Sequence, residues 1–308
     1  ENISFPVGRV EWMQMYPLNF YEFLLANQKN QLADLLTKPP HRVPDVIHET
    51  LREQLRYYFF VGGMPESVKI FIETMSIKAS CQVHHNLIYS FQEDFVKYIP
   101  RCDKTCLETV FIQSAAKVGE QIKFSQLSTQ FSNATISKAF HLMTKAQIIS
   151  PVLNTTPEGL PLAIHVNSKK FKALMVDIGL MQTMCGLNLT QDFAAADLLN
   201  IYRGALAEQF IGQELRVTQG HQLYYWAREA RSSTAEVDYL AVCGGEITPI
   251  EVKSGKSGSL RSLHLLLKSY PNVKKAYVFY DGHYQELFEQ KLIFIPLYFV
   301  SSATQDSF

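Results

Sequence analysis

Residues 249–256 read PIEVKSGK, and the fold of the C-terminal part turns on them. Strand side chains alternate between two faces, so Ile250 and Val252 share one face and Glu251 and Lys253 the other. A carboxylate and an ammonium side by side on one strand face make either a surface pair or part of a hydrolytic centre. Upstream, AEVDYLAV at 235–242 has the composition of a strand, and Cys243-Gly244-Gly245-Glu246 has that of a tight turn. A hairpin across that turn brings Asp238 beside the Glu251–Lys253 face. The long helix expected over IYRGALAEQFIGQELRVT, 201–218, directs Glu208 at the same place. Carboxylates at Glu208, Asp238 and Glu251 are the oxygen donors a hard cation such as Mg²⁺, or Mn²⁺, requires, with the Val252 carbonyl as a further oxygen. Lys253 would orient the attacking water and offset charge on a phosphate. These residues are the expected catalytic set, and the three acids the expected metal ligands.

The composition sets outer bounds. The chain has 308 residues, with 29 Lys+Arg against 29 Asp+Glu, so bulk charge directs it to neither nucleic acid nor membrane, and any such role must come from a local patch. No apolar run approaches the roughly 20 residues of a membrane span. Five scattered cysteines point to a reducing, cytoplasmic setting rather than a disulfide framework. The opening, ENISFPVGRVEWMQMYPLNFYEFLLA, starts inside an element without an initiator Met, and the chain is expected to be a piece of a longer protein.

Four regions follow from the periodicity. Residues 1–40 close on the proline-marked break TKPPH. Residues 41–103 are helical: apolar residues recur at helical spacing through DVIHETLREQLRYYFF, Gly62-Gly63 ends that helix, and MPESVKIFIETM and LIYSFQEDFVKYIP follow as two more. Residues 104–166 read as helix (KTCLETVFIQSAAKVG), short strand and helix (IKFSQLSTQF), turn, helix (ATISKAFHLMTKAQ) and hairpin (IISPVLNTTPEGLPLAIHV), the order of a winged helix. Leu127, Ile136, Phe140 and Leu142 or Met143 are its expected core. Residues 167–308 alternate helix and strand (LYYW, ITPIEVK, SLRSLHLLLKSY, KAYVFY, LIFIPLYFV) and form a mixed sheet with helices on its faces. The expected class is therefore α/β plus all-α.

Glu208, Asp238 and Glu251-Val252-Lys253, in the order helix, strand, strand, strand, helix, strand, resemble the PD-(D/E)xK restriction-endonuclease-like fold. The likeness widens with SFPVGRVEWMQMYPLNFYEFL, YFFVGGMPESV, EDFVKY, FKALMVDIGL, GALAEQFIGQEL and PIEVKSGKSGSLRSL, which resemble the C-terminal half of a bacterial and archaeal AAA+ ATPase family. That resemblance implies the end of an ATPase core at 1–40, a helical lid at 41–103, a winged-helix-like domain at 104–166 and a nuclease-like domain of unknown function at 167–308. It implies Mg²⁺-dependent phosphodiester hydrolysis or nucleic-acid binding; the alternative is a catalytically silent interaction or regulatory module coupled to the ATPase. G-x-x-x-x-G-K-[ST] does not occur, so ATP belongs to the intact parent protein and no ATP hydrolysis is expected of this chain. Arg9 is a candidate phosphate sensor in that parent.

The third helix of the winged-helix segment offers Lys138, His141 and Lys145, with Thr135 and Ser137, for contact with nucleic acid. A partner protein or a second copy is the other expected partner. Cys81, His84, His85, Cys102 and Cys106 loosely mimic zinc-ligand spacing, but a long helix separates them and the bland reading as core and surface residues is preferred. Trp226 reads as core packing, Arg228 as a candidate cleft residue, and Asp94 with Lys97 as a solvated helix face.

Overall fold

The computed structural model describes residues 11, 13–98, 102–186, 204–220, 222–230, 233–253 and 260–305. Among these are eleven α-helices and an eight-stranded mixed sheet. The N-terminal part is helical: α1 (Phe20–Ala26), α2 (Asn30–Leu36), α3 (Asp45–Val61), α4 (Pro65–Thr74), α5 (Ile77–Asp94), α6 (Lys104–Ala116) and α7 (Asn133–Lys145). Local chemistry sets several ends. Asn19 and Glu22 form a capping box on α1, each side chain accepting from the other's backbone N–H. Gly62 stops α3 with φ 66°, where a side chain is strained. Phe20, Phe23, Tyr58 and Phe210 interlock as edge-on and stacked rings, which ties α1 and α3 to the C-terminal part.

The strands are β1 (Ile149–Asn154), β2 (Asn167–Met175), β3 (Leu223–Ala230), β4 (Ser233–Cys243), β5 (Glu246–Val252), β6 (Ala276–Tyr280), β7 (Gln285–Leu287) and β8 (Leu292–Pro296). Three more helices complete the chain after β2: α8 (Ile178–Met184), α9 (Ala205–Thr218) and α10 (Arg261–Ser269), with α11 (Val300–Thr304) at the end. The strand order is β2-β1-β3-β4-β5-β6-β8-β7. β4 and β5 form the expected hairpin, and Gly244 and Gly245, at φ 60° and 73°, supply the two left-handed residues that a two-residue turn needs. One side of the sheet packs on α9 through Tyr225, Tyr239, Ile250 and Phe279. The other packs on α10 through Trp226, Val237, Val278, Leu263 and Leu266.

The 104–166 stretch departs from a self-contained winged helix. Leu127, Ile136, Phe140 and Met143 are buried as expected. The middle helix, however, is a single 3-10 turn at Phe124–Gln126, and Ile122 makes only an isolated bridge to Phe171. The second hairpin strand is not 162–166, of which Leu162–His165 is another 3-10 turn; it is β2, beginning at Asn167. β1 pairs with β2 on one side and, in parallel, with β3 on the other. The hairpin thus extends the C-terminal sheet, and the boundary expected at 166/167 falls between two paired strands. Apolar residues on both sides of β2 account for this: Phe171 packs on Phe124 and Phe140, while Leu174 abuts α9 at Gly212.

Candidate functional site: a lysine among three carboxylates

Glu208 lies in the first turn of α9, where the helix N-terminus favours an anion. Its side chain runs beneath Gly119, whose missing Cβ would sit 3.1 Å from Glu208 Oε2, so the helical part closes over the carboxylate. Glu236 and Asp238 come from β4. That strand carries one extra residue against β3, since Tyr224 pairs with Leu240 but Trp226 pairs with Val237. A bulge of this kind re-aims side chains. Here Tyr239 donates its hydroxyl hydrogen to the Glu208 carbonyl at 2.8 Å, while the neighbouring Asp238 turns its carboxylate to the end of β5. The β4–β5 pairing starts at Tyr239–Ile250, and Asp238 Oδ2 takes over as acceptor for the Val252 N–H at 2.8 Å.

The position to which these acids point is filled by Lys172 of β2. Its Nζ donates to Glu208 Oε1 at 2.7 Å and to Asp238 Oδ1 at 3.2 Å, and it is ion-paired with Glu236. Gln121 donates its side-chain N–H to the other Glu236 oxygen. The ammonium also lies 5.5 Å from the centre of the Tyr225 ring. Lys172 is 1% exposed. Burial opposes its charge, but Glu208, Asp238 and Glu236 outweigh that and hold its pKa well above the ordinary lysine value. Burial raises Glu208 to about 7, with Lys172 pulling the other way.

Glu251 and Lys253 stand next to this cluster. Ile250 is fully buried and Val252 half-buried against the same core, as the alternation requires, and Lys253 Nζ donates to Glu251 Oε1 at 2.6 Å. Glu251 Oε2 is buried and, among the described residues, has no hydrogen-bond partner. Burial, reinforced by the Asp238 charge, pushes Glu251 up to about 8. The expected four residues therefore fall into two groups, Glu208 and Asp238 around Lys172 and Glu251 with Lys253. Among the described residues no three His, Cys, Asp or Glu side chains are grouped to hold a metal ion. The N···O distances at Lys172 suit an ammonium; Mg²⁺ takes oxygens at about 2.0–2.1 Å and would need the same space. As arranged, Glu208, Asp238 and Glu251 fit an internal lysine rather than a shared Mg²⁺ or Mn²⁺.

Sequence reasoning missed Lys172 and Glu236. The signal for Lys172 was its parity with Leu174 in an apolar strand, FKALM, which leaves a lysine no route to water on a covered face. Of the other candidates, Lys138, His141 and Lys145 are exposed at helical spacing on α7. Trp226 is core, packed edge-on against Tyr270, and Arg228 is exposed. Asp94 and Lys97 form an exposed ion pair at 2.7 Å. None of the five cysteines is in a disulfide, and Cys81, Cys102 and Cys106 are buried; His84 is buried with Nε2 3.0 Å from the Val61 carbonyl, and His85 is exposed. Arg9 and Lys256 lie outside the described residues. Among the described residues no helix is long and apolar enough to cross a membrane.

A family model described as a domain of unknown function (DUF8612) matches residues 52–191, and a second, also a domain of unknown function (DUF4143), matches residues 203–300. No curated protein and no solved structure matches the chain. Lys172 lies in the first matched segment and its three carboxylate partners in the second, so the buried ion cluster joins the two.

Proposed function

We propose that this chain is the C-terminal portion of an AAA+ ATPase and acts as an interaction and regulatory module, with a nuclease-like sheet whose acidic site is silent as it stands. The observation that carries the reading is the fully buried Lys172 ammonium on Glu208, Glu236 and Asp238. It neutralises the acids that a phosphodiester-cleaving centre would keep for its metal. The link to an ATPase is supported by the 203–300 match, a domain often found in AAA-ATPase-associated proteins. The position of the cluster across both matched segments supports a coupling role, since its ion pairs tie β2 to α9 and β4.

A second reading, nucleic-acid binding with Mg²⁺-dependent hydrolysis, is favoured by Glu251 Oε2, which has no hydrogen-bond partner among the described residues, and by the half-buried Lys253 beside it. In that reading Lys138, His141 and Lys145 contact nucleic acid. Incubating the purified chain with labelled single- and double-stranded DNA and RNA, in Mg²⁺ and in Mn²⁺, separates the two. The silent module leaves every substrate intact. Cleavage that disappears in both Asp238→Asn and Lys253→Met establishes the hydrolytic reading instead.

A further inference from the structure

At the end of the sheet away from Lys172, the start of α3 meets the link 281–284 between β6 and β7 and the 3-10 turn Leu297–Phe299 that follows β8. Charged and aromatic side chains make the junction. Arg52 Nε donates to Asp281 Oδ1 at 2.7 Å, its Nη2 is paired with the other Asp281 oxygen, and its Nη1 donates to Glu49 at 2.9 Å. Asp45 Oδ1 lies 3.4 Å from His283 Nε2. At the centre the His48 and His283 rings face each other with centroids 4.0 Å apart, and His48 Nδ1 lies 2.7 Å from the Tyr298 hydroxyl. Tyr280 and Tyr298 complete the wall, Arg42 acts on Tyr280, and the His41 ring packs on Phe299. The two histidines are placed unequally. His283 is half-buried and has the Asp45 carboxylate within reach of a proton's charge, whereas His48 is only 3% exposed. Burial, then the His283 and Arg52 charges, hold the His48 pKa below the ordinary histidine value, against the opposing pull of Glu49 and Asp281, both of which Arg52 already engages.

We infer that the facing His48 and His283 rings are a proton-operated latch: uncharged, they hold the start of α3 against the β6–β7 link, and when both are charged they release it. Two imidazolium rings stacked at 4.0 Å repel each other, and the buried one adds a cation beside Arg52. Opening parts the rings and lets water solvate each charge. A histidine that takes its proton less readily closed than open stabilises the closed form above about pH 6.5, and that stabilisation is lost as the pH falls below it. Release uncovers Tyr298 and Phe299, which are buried in the closed form. The module then presents a face in acid that it hides at neutral pH. The latch is independent of whether the acids at Lys172 are silent or hydrolytic.

Amide hydrogen exchange of the 308-residue chain, read by mass spectrometry at about pH 7.5 and about pH 5.5 and corrected for intrinsic rates, tests the latch. Protection of 48–52 and 281–287 in the native chain should fall about tenfold on acidification for each unit by which closure lowers the His48 pKa, while α6 and α7 keep theirs. His48→Gln stays neutral, so its protection at both segments should be the same at the two pH values. If His48→Gln does not fold, His283→Gln, which removes the facing charge, takes its place and should show a smaller drop than the native chain. The inference is overturned if the native chain protects both segments equally at the two pH values, if α6 and α7 lose protection to the same extent, or if the neutral variant loses as much as the native chain. None of these outcomes bears on the silent-module reading, which is decided by cleavage.

Discussion

Replacing Lys172 with Met removes the cation that Glu208, Glu236 and Asp238 share while retaining most of the side chain's apolar volume. Deleting one partner of a buried ion pair costs about 3–5 kcal/mol, because the remaining charges stay desolvated. The cost should depend on pH. Glu208 already has a folded pKa of about 7 and Lys172 is the main influence holding it down, so its pKa rises further in the variant. A carboxylate whose folded pKa exceeds its unfolded value binds more protons folded than unfolded, so stability falls as pH rises between the two values. Native and variant then differ in protons bound only above about pH 7, so the deficit of Lys172→Met should be smallest near about pH 5, where a proton stands in for the ammonium, and larger near about pH 9. With a urea slope of about 3 kcal/mol/M, the full deficit lowers the unfolding midpoint by about 1 M or more. Urea unfolding of the native chain, Lys172→Met and Lys172→Arg at both pH values measures this. A Lys172→Met chain within about 1 kcal/mol of the native one at the higher pH, or a deficit that does not shrink on acidification, refutes the assignment of Lys172 as the buried counter-charge.

Three further outcomes follow from residues outside the cluster. Glu214 is buried, accepts from the Phe20 N–H at 2.9 Å and the Ser301 hydroxyl at 2.6 Å, and is pushed by burial to about 7; Glu214→Gln should remove about 3 kcal/mol of the stability lost between about pH 4.5 and pH 7, seen as a flatter melting-temperature profile than the native chain's. Gly62→Ala should cost about 3 kcal/mol in urea unfolding, because φ is 66° and the new Cβ would overlap the Asp177 carboxylate that accepts from Gly63 N–H. The His48 and His283 rings lie 4.0 Å apart with Asp45, Glu49, Arg52, Asp281 and Tyr298 around them, and burial with the His283 and Arg52 charges lowers the His48 pKa; His48→Gln should lessen the loss of stability on acidification below that of ordinary histidine titration, read from melting temperatures across that range.

What was legible in the sequence was what local periodicity controls. The alternation through PIEVK placed Ile250 inward and Glu251 beside Lys253, and the paired glycines placed the β4–β5 turn. α3 ended at Gly62 because that position needs a left-handed backbone. Long-range pairing was not legible. β1 joins β3 across roughly seventy residues, and no period within either strand specifies that neighbour. For the same reason Lys172 escaped notice: Glu208, Glu236 and Asp238 are 36 or more residues away in sequence, and Lys169, Lys170 and Lys172 look alike until one of them is enclosed. The bulge that turns Asp238 aside from strict alternation is likewise a tertiary event, set by β3 and α9 together.

In the native chain an ammonium, not a metal ion, sits among these carboxylates. Crystals of the unmodified protein grown or soaked in Mn²⁺ near neutral pH, with anomalous scattering recorded at a wavelength where manganese contributes, test it most directly. Lys172 Nζ should lie between Glu208 and Asp238, with no anomalous peak in the cluster. A manganese peak bound by Glu208, Asp238 and Glu251, with the Lys172 side chain displaced from them, contradicts it.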